Sequence, residues 1–178
     1  MIQVISTVEE VAHLDVPDPD KVAVITQTTL SLDDTREVLQ ALRKRFPKMV
    51  LPPKEDICYA TQNRQNAVKE MAKHVDVVFV LGSANSSNAQ RLREVAQEAG
   101  ARAFLIDHPQ DIDPRWIEGA SAVGITAGAS TPEEIVQATI DHLRSLGAAQ
   151  VEELQIAQED VFFPMPQELL VSPNRVKR

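Results

Sequence analysis

One cysteine, Cys58, is all that the 178 residues provide. It excludes an internal disulfide and cannot by itself make the three or four thiolate ligands of a structural zinc or iron-sulfur site. Cys58 is therefore either an ordinary side chain or one ligand of a site completed elsewhere. Long apolar runs are lacking as well. None approaches the roughly 20 residues of a membrane-spanning helix, and the first residues lack the basic-then-apolar plan of a secretory signal. No membrane association and a cytoplasmic location are expected. A basic stripe is missing too: the net charge is −8 and Lys and Arg are scattered, so nucleic acid is not an expected partner. Neither the GxxxxGKS/T pattern nor the GxGxxG fingerprint occurs, which removes support for nucleotide binding by those devices.

What is present is a chain with 43% hydrophobic residues, enough to bury a real core in one large domain or in one domain plus part of another. Four short apolar runs, Val22 to Ile25, Val77 to Leu81, Ala103 to Ile106 and Ala122 to Ile125, do not alternate with polar residues and read as strands of a parallel sheet buried on both faces. A further short edge strand is possible at Ile2 to Ile5. Between them lie stretches with helical spacing: Val38, Leu39, Leu42 and Phe46; Ala67, Val68 and Met71; Leu92, Val95, Ala96 and Ala99; Val136, Ile140 and Leu143. Thr7 with Glu10 and Thr131 with Glu134 have capping-box spacing, Pro132 suits a first helical position, and Gly100 and Gly147 suit helix stops. The expected fold class is α/β, a three-layer parallel-sheet domain plus a partial second domain. Pro52, Pro53 and Lys54 mark a boundary, giving an incomplete unit over 1–51, a fuller unit of three strands and about four helices over 52–146, and an irregular tail over 147–178. Phe162, Phe163, Pro164 and Pro166 in that tail suggest either a docking surface or a frayed terminus.

In an open parallel sheet, ligands bind beyond the carboxyl ends of the strands. The loops expected there are rich in small hydroxyl and amide residues. Ser86, Ser87, Asn88 and Ser130 lie at or just before helix starts, where free N–H groups and the positive dipole end favour a phosphate. The same residue types are the commonest N-caps, so capping and anion binding both stand. Cys58 precedes a helix, a setting that suits a metal-ligating thiolate, although a lone Cys is more often a small buried hydrophobe. Thr28 and Thr29 can hydrogen-bond a substrate hydroxyl or organise their turn. The histidines do not cluster: His13, His74 and His142 fall in helical segments, and His108 borders a strand end without an assigned role. Asp33 and Asp34 suit a helix's first turn.

The segments ITQTTLS (Ile25 to Ser31), DICYATQNRQ (Asp56 to Gln65), GSANSSNAQRL (Gly82 to Leu92) and GITAGASTP (Gly124 to Pro132), in this order, resemble the 4-hydroxy-3-methylbut-2-enyl diphosphate reductase family. The likeness spans essentially the whole chain but only about the second half of the family's usual length. It implies three similar α/β domains in pseudo-threefold arrangement around a four-iron four-sulfur cluster, with Cys58 as the third ligand. It also implies that Ser86, Ser87, Asn88 and Ser130 hold the substrate diphosphate, and that Thr28 contacts the substrate hydroxyl in the proton-relay region. The implied reaction removes the allylic hydroxyl of 4-hydroxy-3-methylbut-2-enyl diphosphate as water, leaving isopentenyl and dimethylallyl diphosphates in the methylerythritol phosphate route. The iron serves as Lewis acid and electron conduit, with ferredoxin or flavodoxin as donor.

Measured against that family, residues 1–51 correspond to the remnant of the second domain and residues 52–146 to the third. The family's first domain and the opening part of its second have no counterpart in these residues, and with them go the other two cluster cysteines, the diphosphate-binding histidines and the proton-donating glutamate that the resemblance implies. One thiolate cannot hold a cubane that ordinarily takes three, so the chain alone is expected to retain neither cluster nor activity. The amino-terminal half is then an expected partner. Two other readings stay open: a non-catalytic diphosphate-binding module, and one half of a split enzyme.

Overall fold

The computed structural model describes residues 1–52, 56–156 and 165. Its centre is β1 (Val77–Leu81), an unbroken apolar run in which every residue is buried. β2 (Arg102–Ile106) and β3 (Val123–Ala127) flank it in the order β2-β1-β3. Both pairings are parallel, with Leu81 level with Ile106 on one side and Ala127 on the other. The parallel sheet expected from the sequence is present.

Helices cover both faces, making three layers. On one, Val78 and Val80 meet Val68 and Ala72 from α3 (Tyr59–Met71) and its C-cap, and Leu92, Val95 and Ala96 from α4 (Ser87–Glu98). On the other, Val77, Phe79 and Leu81 meet Leu143 of α5 (Glu133–Ser145) and Ile112, with Trp116 alongside. Phe104 and Trp116 stack with ring centroids 4.2 Å apart. Phe79 is completely buried; truncating such a side chain to alanine costs about 3–5 kcal/mol. The described residues of 52–146 thus contain three α-helices and two short 3-10 turns, Pro109–Asp111 and Pro114–Trp116, where about four helices were expected.

The first unit has a smaller core. Leu42 of α2 (Leu32–Arg45) and the C-cap residue Phe46 pack with Val11 of α1 (Val8–His13), and Val22, Val24, Val38 and Leu39 close around them. The strand expected over Val22 to Ile25 is reduced to one bridge, Ala23 to Val50. Val24 N–H donates to the Val50 carbonyl at 3.0 Å and Val50 N–H donates to the Val22 carbonyl at 2.9 Å. With a single short partner the ladder does not extend, and only one face is covered: Val22 and Val24 turn towards α2, while Ala23 and Ile25 are exposed. Ile2 to Ile5 forms no strand, and Ile2 and Val4 are exposed.

The caps follow the sequence in part. Thr7 and Glu10 form the expected capping box, and Gly100 and Gly147, both at positive φ, follow the ends of α4 and α5. Thr131 does not cap α5. Its hydroxyl donates instead to the Leu81 carbonyl at 2.9 Å, and Pro132 takes the N-cap position without a side-chain bond. His74 lies just beyond α3, exposed, 3.3 Å from Glu70. Pro53, Lys54 and the Phe162 to Pro166 aromatic and proline positions lie outside the described residues; the part of the tail over 147–156 has no regular structure and leaves Val151, Leu154 and Ile156 exposed. No helix among the described residues is long and apolar enough to cross a membrane.

Candidate anion site at a sheet switch point

Strand order β2-β1-β3 makes the chain leave β1 for β2 on one side and reach β3 on the other. α4, after β1, covers one face and α5, after β3, covers the other. The gap between the carboxyl ends of β1 and β3 is therefore a topological switch point, where doubly wound sheets bind ligands. The loop of Ser86, Ser87 and Asn88 borders it from β1, and the loop of Ser130 from β3.

Small residues bring α4 down onto this crevice. A β-carbon on Gly82 would lie 2.8 Å from the Ala89 methyl group, and one on Gly128 would lie 3.5 Å from it. The Leu81 carbonyl pins the far side by accepting from Gly128 N–H at 2.8 Å and from Thr131 Oγ1. Ser130 is exposed between these anchors. Neither the glycine contacts nor the bond of Thr131 to Leu81 was legible in the sequence, although a glycine directly after each of two strand ends is a signal of close backbone approach.

Ser86 has the capping role expected of its position. It is the N-cap of α4, and its Oγ accepts from Ala89 N–H at 3.3 Å. A hydroxyl that accepts in this way still has its own hydrogen to donate, so Ser86 can cap the helix and bond an anion together. Ser87 is exposed in the first turn. Asn88 is 9% exposed, and both its amide nitrogen and amide oxygen are buried without a protein partner. Such a group is costly unless something bonds to it.

The second group of expected residues lies where the two units meet. Thr28 is exposed, and its backbone carbonyl accepts from Cys58 N–H at 3.2 Å. Cys58 is an exposed free thiol at the N-cap of α3, with no side-chain cap bond. Asp56 fastens the neighbouring turn, accepting from Thr26 N–H at 2.7 Å. Asp33, in the first turn of α2, pairs with Lys69 of α3, and this hydrogen bond holds its carboxyl below the usual range. Arg91 of α4 reaches Asp34 at 3.2 Å. The acidic pair thus has a structural use, tying α2 to α3 and α4. No group of three or more His, Cys, Asp or Glu side chains able to hold a metal occurs among the described residues; Cys58 has the exposure and donor chemistry of a single ligand. His108 takes the N-cap position of the turn at Pro109, its backbone N–H donating to Asp111 at 2.8 Å.

A family model described as LytB protein matches residues 1–144. The chain is 52% identical over 171 residues to 4-hydroxy-3-methylbut-2-enyl diphosphate reductase 2 of Burkholderia mallei, covering 96% of this chain and 52% of that protein. It is 54% identical over 168 residues to 4-hydroxy-3-methylbut-2-enyl diphosphate reductase of Azoarcus sp., covering 94% and 54%. Among solved structures, the E-1-hydroxy-2-methyl-but-2-enyl-4-diphosphate reductase of Plasmodium falciparum superposes with a TM-score of 0.82 at 32% identity, covering 94% of this chain and 54% of that one. The chain spans about half the length of the relatives it matches. With the family model covering most of its residues and relatives above half identity, the chain belongs to the LytB family.

Proposed function

We propose that this chain makes up the carboxyl-terminal half of a 4-hydroxy-3-methylbut-2-enyl diphosphate reductase, whose activity also needs residues of the amino-terminal half. In this reading residues 1–51 belong to the second α/β domain, 52–146 form the third, and 147–178 are a docking tail. The observation that carries it is the buried, unpartnered amide of Asn88 at the amino end of α4. A diphosphate in the switch-point crevice gives that amide its partner, while the Ser86, Ser87 and Ser130 hydroxyls and the helix dipole supply further stabilisation. The bare face of Ala23 and Ile25 supports the division into domains, because parallel sheets are covered on both faces.

Thr28 presents its hydroxyl to the substrate's allylic hydroxyl and helps to pass a proton there. Cys58 fits as one thiolate ligand of a four-iron four-sulfur cluster, its backbone held by Thr28, and the other ligands come from the remaining half. When bound, the cluster supplies two electrons from ferredoxin or flavodoxin and Lewis acidity for loss of the hydroxyl as water. The products are isopentenyl and dimethylallyl diphosphates, and the location is the cytoplasm.

Anaerobic iron and sulfide analysis with electron paramagnetic resonance tests this on the chain alone and after mixing with the missing half. A cluster in the mixture only, lost in Cys58→Ser, is the expected result. A stoichiometric cluster on these 178 residues alone overturns the assignment of Cys58 as one ligand of a site shared with the other half.

A further inference from the structure

Gln65 belongs to the buried stripe of α3, with Thr61, Val68 and the following Ala72, and is only 1% exposed. An apolar residue would complete that stripe at no polar cost. The glutamine instead divides its amide over one loop of the first unit: Oε1 accepts from Leu32 N–H at 3.1 Å, and Nε2 donates to the Leu30 carbonyl at 2.7 Å. These two groups flank Ser31, the N-cap of α2. Leu32 N–H is one of the amides a helix start leaves without an internal partner, so Gln65 acts as a cap supplied from a different helix.

Thr28 lies two residues before Leu30 in the same loop, and its carbonyl accepts from Cys58 N–H. Cys58 is the N-cap of α3 itself. The helix therefore grips the loop twice, at Cys58 and at Gln65, about 10 Å further along its axis. Asp56 holds the start of the loop at Thr26 and Cys58 holds it at Thr28, so Gln65 supplies the hold on its far end, at Leu30 and Leu32.

We propose that Gln65 is a positioning residue that fixes the Thr28 loop against Cys58, keeping the substrate-facing hydroxyl and the cluster ligand in register across the two units. This rests on the roles given to Thr28 and Cys58 above. Gln65 touches neither substrate nor cluster.

The test uses Gln65→Met, which keeps length and burial but removes both hydrogen bonds, and Gln65→Glu, which keeps the acceptor for Leu32 and loses the donor to Leu30. Amide hydrogen exchange in the full chain is read at Cys58, with Phe79 in β1 as internal reference, and Trp116 fluorescence follows folding. Gln65→Met should speed exchange at Cys58 about tenfold, the scale of one lost buried hydrogen bond, and leave Phe79 unchanged; Gln65→Glu, which sets a buried carboxylate oxygen against the Leu30 carbonyl, should speed it at least as much. Unchanged protection at Cys58, or loss of equal size at Phe79, would overturn the proposal. In the enzyme completed by its other half, Gln65→Met should lower kcat about tenfold with KM unchanged, and a rise in KM alone would count against positioning. If the completed wild type proves inactive, the functional reading fails while the exchange data still decide whether Gln65 couples the loop to Cys58.

Discussion

The methyl group of Ala89 lies against Gly82 with no space between them for a side chain, since a β-carbon there would approach to 2.8 Å. Gly82 also has φ +155°, so the first turn of α4 reaches the sheet ends only because two conditions are met by one residue. Gly82→Ala should destabilise the chain by about 1–3 kcal/mol, the usual cost of overpacking, measured as a shift in the urea midpoint followed by Trp116 fluorescence. The same substitution should weaken binding of inorganic pyrophosphate, because it lifts Ser86, Ser87 and Asn88 together. Wild-type stability in Gly82→Ala would mean that α4 can retreat without loss.

Asn88 predicts an opposition between stability and binding. Its amide atoms are buried and unpartnered, so replacing them by apolar atoms of similar shape removes a desolvation penalty of about 1–3 kcal/mol. Asn88→Leu is expected to unfold at a higher urea concentration than wild type. Calorimetry with pyrophosphate should show binding lost in the same variant. A destabilised Asn88→Leu with undiminished binding would contradict the placement of this amide at the anion site.

Much of this arrangement was legible in the sequence, for physical reasons that also explain what was hidden. Val77 to Leu81 announces a central strand because burial on both faces removes polar alternation, and Ser86 to Asn88 follow at the end where helix amides open. Val22 to Ile25 has the same composition, yet strand formation depends on a neighbouring strand, and composition carries no information about that neighbour. Thr131 has capping-box spacing, but the Leu81 carbonyl, 50 residues away in sequence, takes its hydroxyl. Gln65 was equally hidden: its partners lie 33 and 35 residues before it, and the only local sign is an amide in a stripe otherwise closing over the core.

Asp76 gives the acid limb of stability a specific origin. Just before β1, its carboxylate accepts from Ser121 Oγ at 2.8 Å, Ser121 N–H at 2.7 Å and Ala122 N–H at 3.2 Å, fastening the chain that enters β3. These bonds, led by the Ser121 hydroxyl, hold its carboxyl below the ordinary value. A depressed folded-state pKa contributes stability that is fully present above the unfolded value of about 3.9 and is lost as pH falls through the folded one. Urea midpoints measured from pH 7 down to pH 2.5 should therefore fall less steeply below pH 4 in Asp76→Asn than in wild type, from a lower starting value at pH 7. Parallel curves would assign the acid sensitivity to other carboxylates.

The two faces of the Val22 to Ile25 segment predict how the chain behaves by itself. Val22 and Val24 pack on α2, but Ile25 is 86% exposed and Val50, the bridge partner of Ala23, is 64% exposed. An exposed isoleucine contributes almost nothing to folding, so Ile25→Thr should change the urea midpoint by no more than the equivalent of about 0.5 kcal/mol. Burying that side chain against another molecule is worth about 1.5–3 kcal/mol, and apolar patches of this kind drive association. Light scattering should accordingly show concentration-dependent assembly in wild type that is reduced in Ile25→Thr, while the amide protection of β1 stays the same. A strongly destabilised Ile25→Thr would instead mean that this face is already covered within the chain, and the division of residues 1–51 as part of a larger domain would lose its support.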